Sequence, residues 1–263
     1  SCVIGLVDAD RCSRTEATCY DSTRIRPINS RRKCSGSPRR ISLESQRRSP
    51  TKLFFRSCLP DSFILYKPKD ILSGDFYFIS RINDLVIFTA ADCTGHGTAG
   101  AMLSMICSSF LDQAVNDNNL TDPSMIIGFV YKKLVGFMKR HDKSVMSDYG
   151  MEIAICTLIP ETNTLLYAGI NRALYLFRNS ETKILEAQKI RAGNGYESLL
   201  KTLQPSQEIT LEKGDSLYIF SDGYADQFGG SENKKFMNKN LEKLLRSIQS
   251  ESMLKQYEIL SNT

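Results

Sequence analysis

The stretch that decides the fold is residues 85–104, LVIFTAADCTGHGTAGAMLS. Its continuous apolar run at residues 85–91 predicts a buried strand, and the apolar spacing after the loop predicts a helix. The carboxylate of Asp92 follows the strand directly, and Gly95 and Gly97 allow the chain to turn and to approach a ligand closely. A functional site is therefore expected first at this junction of strand and helix.

The segments on either side of this stretch predict an α+β domain. Residues 75–81, DFYFISR, predict a strand that pairs with residues 85–91 as a hairpin. Residues 98–115 predict a helix, and Asp122 as N-cap before Pro123 predicts the start of another. The second half predicts strands at residues 151–158, 164–167, 173–177 and 215–221. One amphipathic helix is predicted after them, at residues 238–257.

Basic charge is concentrated at the beginning of the chain. Residues 1–50 hold ten arginines and one lysine against five acidic residues, whereas residues 51–263 hold 23 basic and 24 acidic residues. The larger part is nearly neutral and gives no electrostatic reason to expect nucleic-acid binding. We predict that residues 51–263 form one domain and that residues 1–50 are a basic extension, disordered or foreign to it. A basic arm that binds nucleic acid or an anionic membrane is the alternative interpretation of residues 1–50.

The cysteines and the apolar runs exclude several classes of protein. Eight cysteines are scattered along the chain without a C-x-x-C pair, so neither a zinc site nor a disulfide framework is expected. The longest apolar runs have fewer than ten residues, and a membrane helix needs ~20. We therefore expect a cytoplasmic protein without a membrane segment.

Three aspartates each lie at the end of an apolar strand, namely Asp75, Asp92 and Asp222. If the strands are neighbours, the three carboxylates converge at one rim of a sheet. Clustered carboxylates repel one another unless a cation neutralises them, and hard oxygen ligands favour Mg²⁺ or Mn²⁺ over zinc. Each aspartate alone is equally well explained as a turn or capping residue. The three together favour a metal site.

The glycine-rich loop also permits a second interpretation. Residues 95–100 spell G-x-G-x-x-G between a strand and a helix, as in a dinucleotide-binding turn. However, Asp92 would repel a pyrophosphate, and no second parallel strand with a terminal acid follows the helix. The two histidines offer little material for a Ser-His-Asp or Cys-His site, and neither a P-loop nor H-E-x-x-H occurs. The metal site is the favoured interpretation.

Four motifs, in this order, resemble those of the metal-dependent (PPM-type) serine/threonine protein phosphatases, in the branch named after stage II sporulation protein E. They are SGDFY at residues 73–77, ADCTGHG at 91–97, GMEIA at 150–154 and FSDG at 220–223. Two further segments, YAGIN at 167–171 and QFGG at 227–230, are similar to the same branch. The resemblance covers roughly residues 58–258. It implies an αββα sandwich of two antiparallel sheets flanked by helices, here without the family's last strand.

The resemblance also implies roles for individual residues. Asp92 corresponds to the carboxylate that bridges two metal ions, Mn²⁺ or Mg²⁺, and Cys93 supplies a backbone carbonyl ligand. Asp222 corresponds to a ligand of one metal, and Asp75 binds the other largely through water. The implied reaction is attack of a metal-activated water on phosphoserine or phosphothreonine, with Asp92 and Asp222 as the catalytic residues. His96 is expected to hold the loop.

Two departures from the family pattern bear on activity. Glu152 stands where relatives often carry aspartate, outside the expected metal ligands. The family also closes with a strand near a paired-acid motif, and the sequence ends at Thr263, before such a strand. A gap or an open sheet edge is therefore expected. The predicted function is a phosphoprotein phosphatase module of bacterial signalling, and the alternative is a catalytically impaired regulatory or binding domain. Expected partners are a phosphorylated protein and an upstream sensor domain or protein, without nucleic acid.

Overall fold

Two five-stranded antiparallel sheets form the centre of the molecule. The computed structural model describes residues 2–7, 50–95, 97–141, 150–190, 195–229 and 233–263. The strands are, in chain order, β1 (Cys2–Val7), β2 (Ser62–Tyr66), β3 (Asp75–Ile82), β4 (Leu85–Cys93), β5 (Met151–Ile159), β6 (Thr164–Ile170), β7 (Leu174–Arg178), β8 (Glu181–Leu185), β9 (Gln207–Thr210), β10 (Ser216–Phe220), β11 (Phe228–Gly229) and β12 (Lys234–Lys235).

The helices are α1 (Pro50–Cys58), α2 (Gly97–Asp112), α3 (Pro123–His141), α4 (Gly195–Thr202), α5 (Asn238–Ser247) and α6 (Met253–Asn262). We call the sheet with strand order β2-β1-β10-β7-β8 sheet I and the sheet with order β3-β4-β5-β6-β9 sheet II. The strands β11 and β12 form a separate two-stranded ribbon.

Three apolar layers hold these elements together as an αββα sandwich. The first lies between the sheets and includes Phe88 and Ile219. The second packs α2 and α3 on the outer face of sheet II and includes Ile87 and Val130. The third packs α5 and α6 on the outer face of sheet I. Successive residues of β4 alternate between the first and second layers, as a strand buried on both faces requires. The predicted fold class is therefore confirmed.

Several predicted elements agree with the structure. The hairpin pairs β3 with β4 from Asp75↔Asp92 to Ile82↔Leu85. The helix predicted to open at Pro123 begins there, and the side chain of Asp122 accepts a hydrogen bond from the Met125 amide at 2.9 Å. The helix predicted at residues 98–115 ends at Asp112 and continues as a short π-helix, Gln113–Asp117.

The single helix predicted at residues 238–257 is wrong, because the structure has two helices there, α5 and α6. The first ends at Ser247. The second begins after Ser252, whose hydroxyl accepts a hydrogen bond from the Lys255 amide and so caps the new helix. Apolar spacing continues across the break since both helices pack on the same layer.

The prediction for residues 1–50 needs correction at residues 2–7. These residues form β1, which pairs with both β2 and β10 inside sheet I. Cys2 and Ile4 are buried in the layer between the sheets. The run CVIGLV is only six residues long, and the serine- and arginine-rich sequence after it conceals the strand signal. Residues 8–49 lie outside the described part of the chain, and the rest of the domain assignment stays a prediction.

The position of β1 also bears on the expected gap in a sheet. In the described part of sheet I, β1 lies between β2 and β10 and hydrogen bonds to both. No open position therefore adjoins the strand that leads to Asp222. The strands at the sheet edges are β2 and β8 in sheet I and β3 and β9 in sheet II.

Candidate active site

Three carboxylates lie side by side at one end of sheet II. Asp92 in β4 is directly opposite Asp75 in β3 and Glu152 in β5. Directly opposed residues bring their Cβ atoms to about 4.5–5.5 Å from each other. All three side chains are on the same face of sheet II as the residues that fill the layer between the sheets, such as Val86 and Phe88 in β4. The carboxylates therefore lie at the mouth of the space between the two sheets.

Asp222 reaches the same rim from sheet I. It follows Ser221, whose amide donates a hydrogen bond to the Cys2 carbonyl at 3.0 Å, just past the end of β10. The Ser221 hydroxyl donates to the Asp75 carboxylate at 2.7 Å and accepts a hydrogen bond from the Cys2 amide at 3.1 Å. Tyr66 in β2 adds a hydrogen bond to the Asp75 carbonyl at 3.0 Å. These contacts join sheet I to sheet II at the site.

The cation at this rim is Arg172, between β6 and β7. One guanidinium nitrogen, Nη2, lies 2.8 Å from Asp92 Oδ2, 2.8 Å from Asp222 Oδ2 and 2.6 Å from Glu152 Oε2. Only 11% of the Arg172 side chain is exposed. The single nitrogen therefore lies where carboxylates from both sheets converge.

Burial and neighbouring charges change the protonation of the cluster. Burial, followed by the charges of Asp75 and Asp222, raises the pKa of Asp92 from 3.8 to about 8, although Arg172 opposes the shift. Burial lowers the pKa of Arg172, but Asp222, Glu152 and Asp92 outweigh that effect and raise it overall. The guanidinium is therefore charged. Its charge only partly offsets the effects that raise the pKa of Asp92.

The chain at Gly74 packs closely against the end of β4 beside the site. A Cβ atom on Gly74 would lie only 2.6 Å from the Cys93 carbonyl oxygen, so this close approach requires glycine. Gly95 has a φ of +100°, which side chains rarely adopt. The Cys93 side chain is buried in the layer beneath α2. A hydrogen bond with Cys107 and burial raise the pKa of the Cys93 thiol.

The turn after β6 holds both Glu152 and Arg172. Asn171 has a φ of 58°. Its side-chain amide donates hydrogen bonds to Glu152 Oε1 at 3.0 Å and to the Ile190 carbonyl at 2.9 Å. The Tyr167 hydroxyl donates to the Arg172 carbonyl at 2.5 Å. The backbone under the guanidinium is thereby fixed by β6 and its neighbours.

The structure brings the side chains of Asp75, Asp92 and Asp222 to one rim. Within the described residues, however, no group of three or more histidine, cysteine, aspartate or glutamate side chains is arranged to hold a metal ion. Instead, the Arg172 Nη2 atom lies among the carboxylate oxygens of Asp92, Asp222 and Glu152. The oxygen donors themselves suit Mg²⁺ or Mn²⁺. The assignment of the three aspartates and the Cys93 carbonyl as ligands stays a prediction, and His96 lies outside the described residues.

Sequence reasoning missed Arg172 and Ser221. Both lie beside motifs that were recognised, since Arg172 follows YAGIN at residues 167–171 and Ser221 is part of FSDG. One signal was present in the sequence. Arg172 is the one charged residue between Glu161 and Arg178, in a stretch that predicts two buried strands. A charge in such a place needs a buried partner.

A sequence profile described as Stage II sporulation protein E (SpoIIE) matches residues 83–261. The chain belongs to this family. It is accordingly a phosphatase module of the kind found in bacterial signalling. Among curated proteins, none matches the sequence. Of the helices in the described residues, none is both long and apolar enough to cross a membrane.

Solved structures show the same fold. The SiaA-PP2C domain of Pseudomonas aeruginosa is 25% identical with a TM-score of 0.66, and the match covers 76% of each chain. The RsbU and RsbW domains of a Mycobacterium tuberculosis protein match at 17% identity and a TM-score of 0.56, over 75% of this chain and 53% of that one. The PP2C phosphatase domain with a fragment of the regulatory domain of SpoIIE from Bacillus subtilis matches at 12% identity and a TM-score of 0.57, over 74% and 54%. The SpoIIE-family chain thus shares its sandwich with PP2C phosphatase domains.

Proposed function

We propose that this SpoIIE-family domain is a divalent-metal-dependent phosphatase that hydrolyses phosphoserine and phosphothreonine in proteins. The observation that carries the proposal is the convergence of Asp92 and Asp75 from sheet II with Asp222 from sheet I. Fold and family membership support the same reaction class. The domain is proposed to act in the cytoplasm, as expected of a signalling phosphatase module.

Asp92 would hold Mn²⁺ or Mg²⁺ together with the Cys93 carbonyl, Asp75 and Asp222, and two ions are expected. Such ions lower the pKa of a bound water and neutralise phosphoryl oxygens. The chain's own contribution is orientation. Asp75 is held by the Ser221 hydroxyl, and Gly74 allows the chain before Asp75 to pack against the Cys93 carbonyl.

The proposed partners are a phosphorylated protein substrate and an upstream regulatory domain or protein. Two of the solved structures support the second partner, because their descriptions include an RsbW domain and a regulatory-domain fragment beside the phosphatase fold. This chain spans about half the length of each of those two chains.

The test is phosphate release from a phosphoserine peptide during Mn²⁺ titration. Asp92→Asn removes the central carboxylate with little change in shape, and we expect it to abolish Mn²⁺-dependent release. Asp84→Asn is the matched control, since Asp84 is 87% exposed in an ion pair with Arg81, and its rate should equal that of the wild type. Activity retained by Asp92→Asn contradicts the proposal. Mn²⁺ binding without phosphate release would favour the impaired regulatory domain.

A further inference from the structure

We propose that Arg172 is a positioning residue that serves as the internal counter-cation of the carboxylate site, and that a divalent cation binds only by displacing its guanidinium from Asp92 and Asp222. The inference rests on the proposed function, since it concerns the same metal centre. It adds a residue that the predicted ligand set does not contain.

The guanidinium contacts its three carboxylate partners through a single nitrogen atom. Arginine commonly holds a carboxylate with two parallel hydrogen bonds from its planar fork. Here one nitrogen, Nη2, meets three carboxylates, and two of the contacts are hydrogen bonds, those to Asp92 and Asp222. That nitrogen has only two hydrogens, so three acceptors exceed what it can satisfy. Attraction between charges holds Arg172 there more than ideal hydrogen bonding does.

Another atom of Arg172 is poorly satisfied in this position. The Nε atom is buried and has no hydrogen-bond partner among the described residues. Most buried donors are paired, so an unpaired one lowers the stability of the arrangement. When the guanidinium leaves the aspartates, the protein therefore loses a set of hydrogen bonds that was incomplete. An exchange with a divalent cation is correspondingly easier.

Exchange requires movement of the side chain only. The backbone of Arg172 is held by the Tyr167 hydroxyl and by the strand pairing of β6. A Cβ atom on Gly169 would collide with the Tyr167 hydroxyl and the Arg172 carbonyl, so the turn packs tightly around that carbonyl. The long arginine side chain can change rotamers without disturbing this turn.

Glu152 provides a place for the displaced guanidinium. It is not among the predicted metal ligands, and its Oε1 is held by the Asn171 side chain at 3.0 Å. Its Oε2 contacts Arg172, and 33% of its side chain is exposed. Arg172 can therefore keep Glu152 as its partner after it leaves the two aspartates. The rim then retains its arginine beside the metal centre.

The experiment measures Mn²⁺ binding without any turnover, from the loss of the electron paramagnetic resonance signal of free Mn²⁺. Arg172→Met removes the charge and keeps much of the side-chain volume. We expect it to bind Mn²⁺ about tenfold more tightly than the wild type and, in EDTA, to melt at a lower temperature. Arg172→Lys, which keeps the charge, should bind with an affinity between the two.

Arg178→Met is the matched control. Arg178 also pairs with carboxylates, Asp215 and Glu212, but away from the site. Arg178→Met should lower the melting temperature without changing the affinity for Mn²⁺. An affinity of Arg172→Met equal to or weaker than that of the wild type overturns the exchange alone. Absence of Mn²⁺ binding in wild type and Arg172→Met alike overturns the metal centre as well. If Arg172→Met folds only with Mn²⁺ present, the exchange is supported.

Discussion

At the scale of single residues, the site depends on charges that sheet geometry forces together. Asp75, Asp92 and Glu152 are in register across three strands, where like charges destabilise the folded state. Arg172 offsets part of that repulsion. The balance between them makes stability depend on pH and on cations.

We expect the metal-free protein to lose stability as the pH rises from about 4 to about 8. The folded state raises the pKa of Asp92 to about 8 from 3.8, because of burial and the charges of Asp75 and Asp222. Within this window the folded state keeps a proton that the unfolded chain releases, so a higher pH favours unfolding. Urea denaturation in EDTA at several pH values measures the effect. In Asp92→Asn this part of the slope should disappear, and a wild-type slope equal to that of the variant contradicts the prediction.

A methyl group at Gly169 should disturb the turn that carries Arg172. Gly169→Ala places a Cβ against the Tyr167 hydroxyl and the Arg172 carbonyl, and overpacking of this kind costs about 1–3 kcal/mol. Gly136→Ala in α3 is the control, since a Cβ there meets nothing within 4 Å. That variant should be unchanged or up to about 1 kcal/mol more stable. Denaturant titration compares the two, and equal free energies of unfolding would show that the turn can relax.

At the scale of elements, β1 is the unexpected component. It lies inside sheet I, and the backbone of Cys2 hydrogen bonds to Ser221, the residue before Asp222. The sequence suggested that residues 1–50 contribute little to stability. For residues 2–7 the structure indicates the opposite, because a strand between two others hydrogen bonds on both sides.

Ile4→Ala tests the place of β1 in the core. Ile4 is 1% exposed between the sheets, and loss of its side chain should cost about 2–5 kcal/mol. Ile71→Ala makes the same chemical change at a residue that is 100% exposed, and it should alter stability by less than about 0.5 kcal/mol. The free energies of unfolding come from urea titration. If Ile4→Ala costs no more than Ile71→Ala, β1 is not part of the core.

At the scale of the whole molecule, the proposed metal ligands come from both sheets, so metal binding should depend on how the two sheets are assembled. Asp222 belongs to sheet I and Asp92 to sheet II, and a cation that binds both links the two layers. Because the unfolded chain does not preserve this arrangement, Mn²⁺ should stabilise the folded state by mass action.

At a free concentration one hundred times the dissociation constant, Mn²⁺ should stabilise the wild type by about 2.7 kcal/mol. The melting temperature should therefore rise by several degrees. Asp222→Asn should require a higher Mn²⁺ concentration for the same rise, since one ligand is lost. Asp226→Asn is the control, because the Asp226 side chain is 45% exposed and pairs with Lys235. Its melting temperature should respond to Mn²⁺ as that of the wild type does. A melting temperature that does not respond to Mn²⁺ in the wild type would contradict a metal centre.

The sequence by itself determined the hairpin of β3 and β4, the start of α3 and the places of three aspartates at the ends of apolar strands. These features follow from local patterns, namely apolar runs, a capping residue before proline, and acids at strand ends. Only the tertiary structure decided that β1 belongs to sheet I and that Arg172 lies among the carboxylates. Strand pairing between residues 2–7 and 216–220, like an ion pair across two sheets, depends on contacts between segments distant in sequence. The local periodicity of a sequence does not predict such contacts.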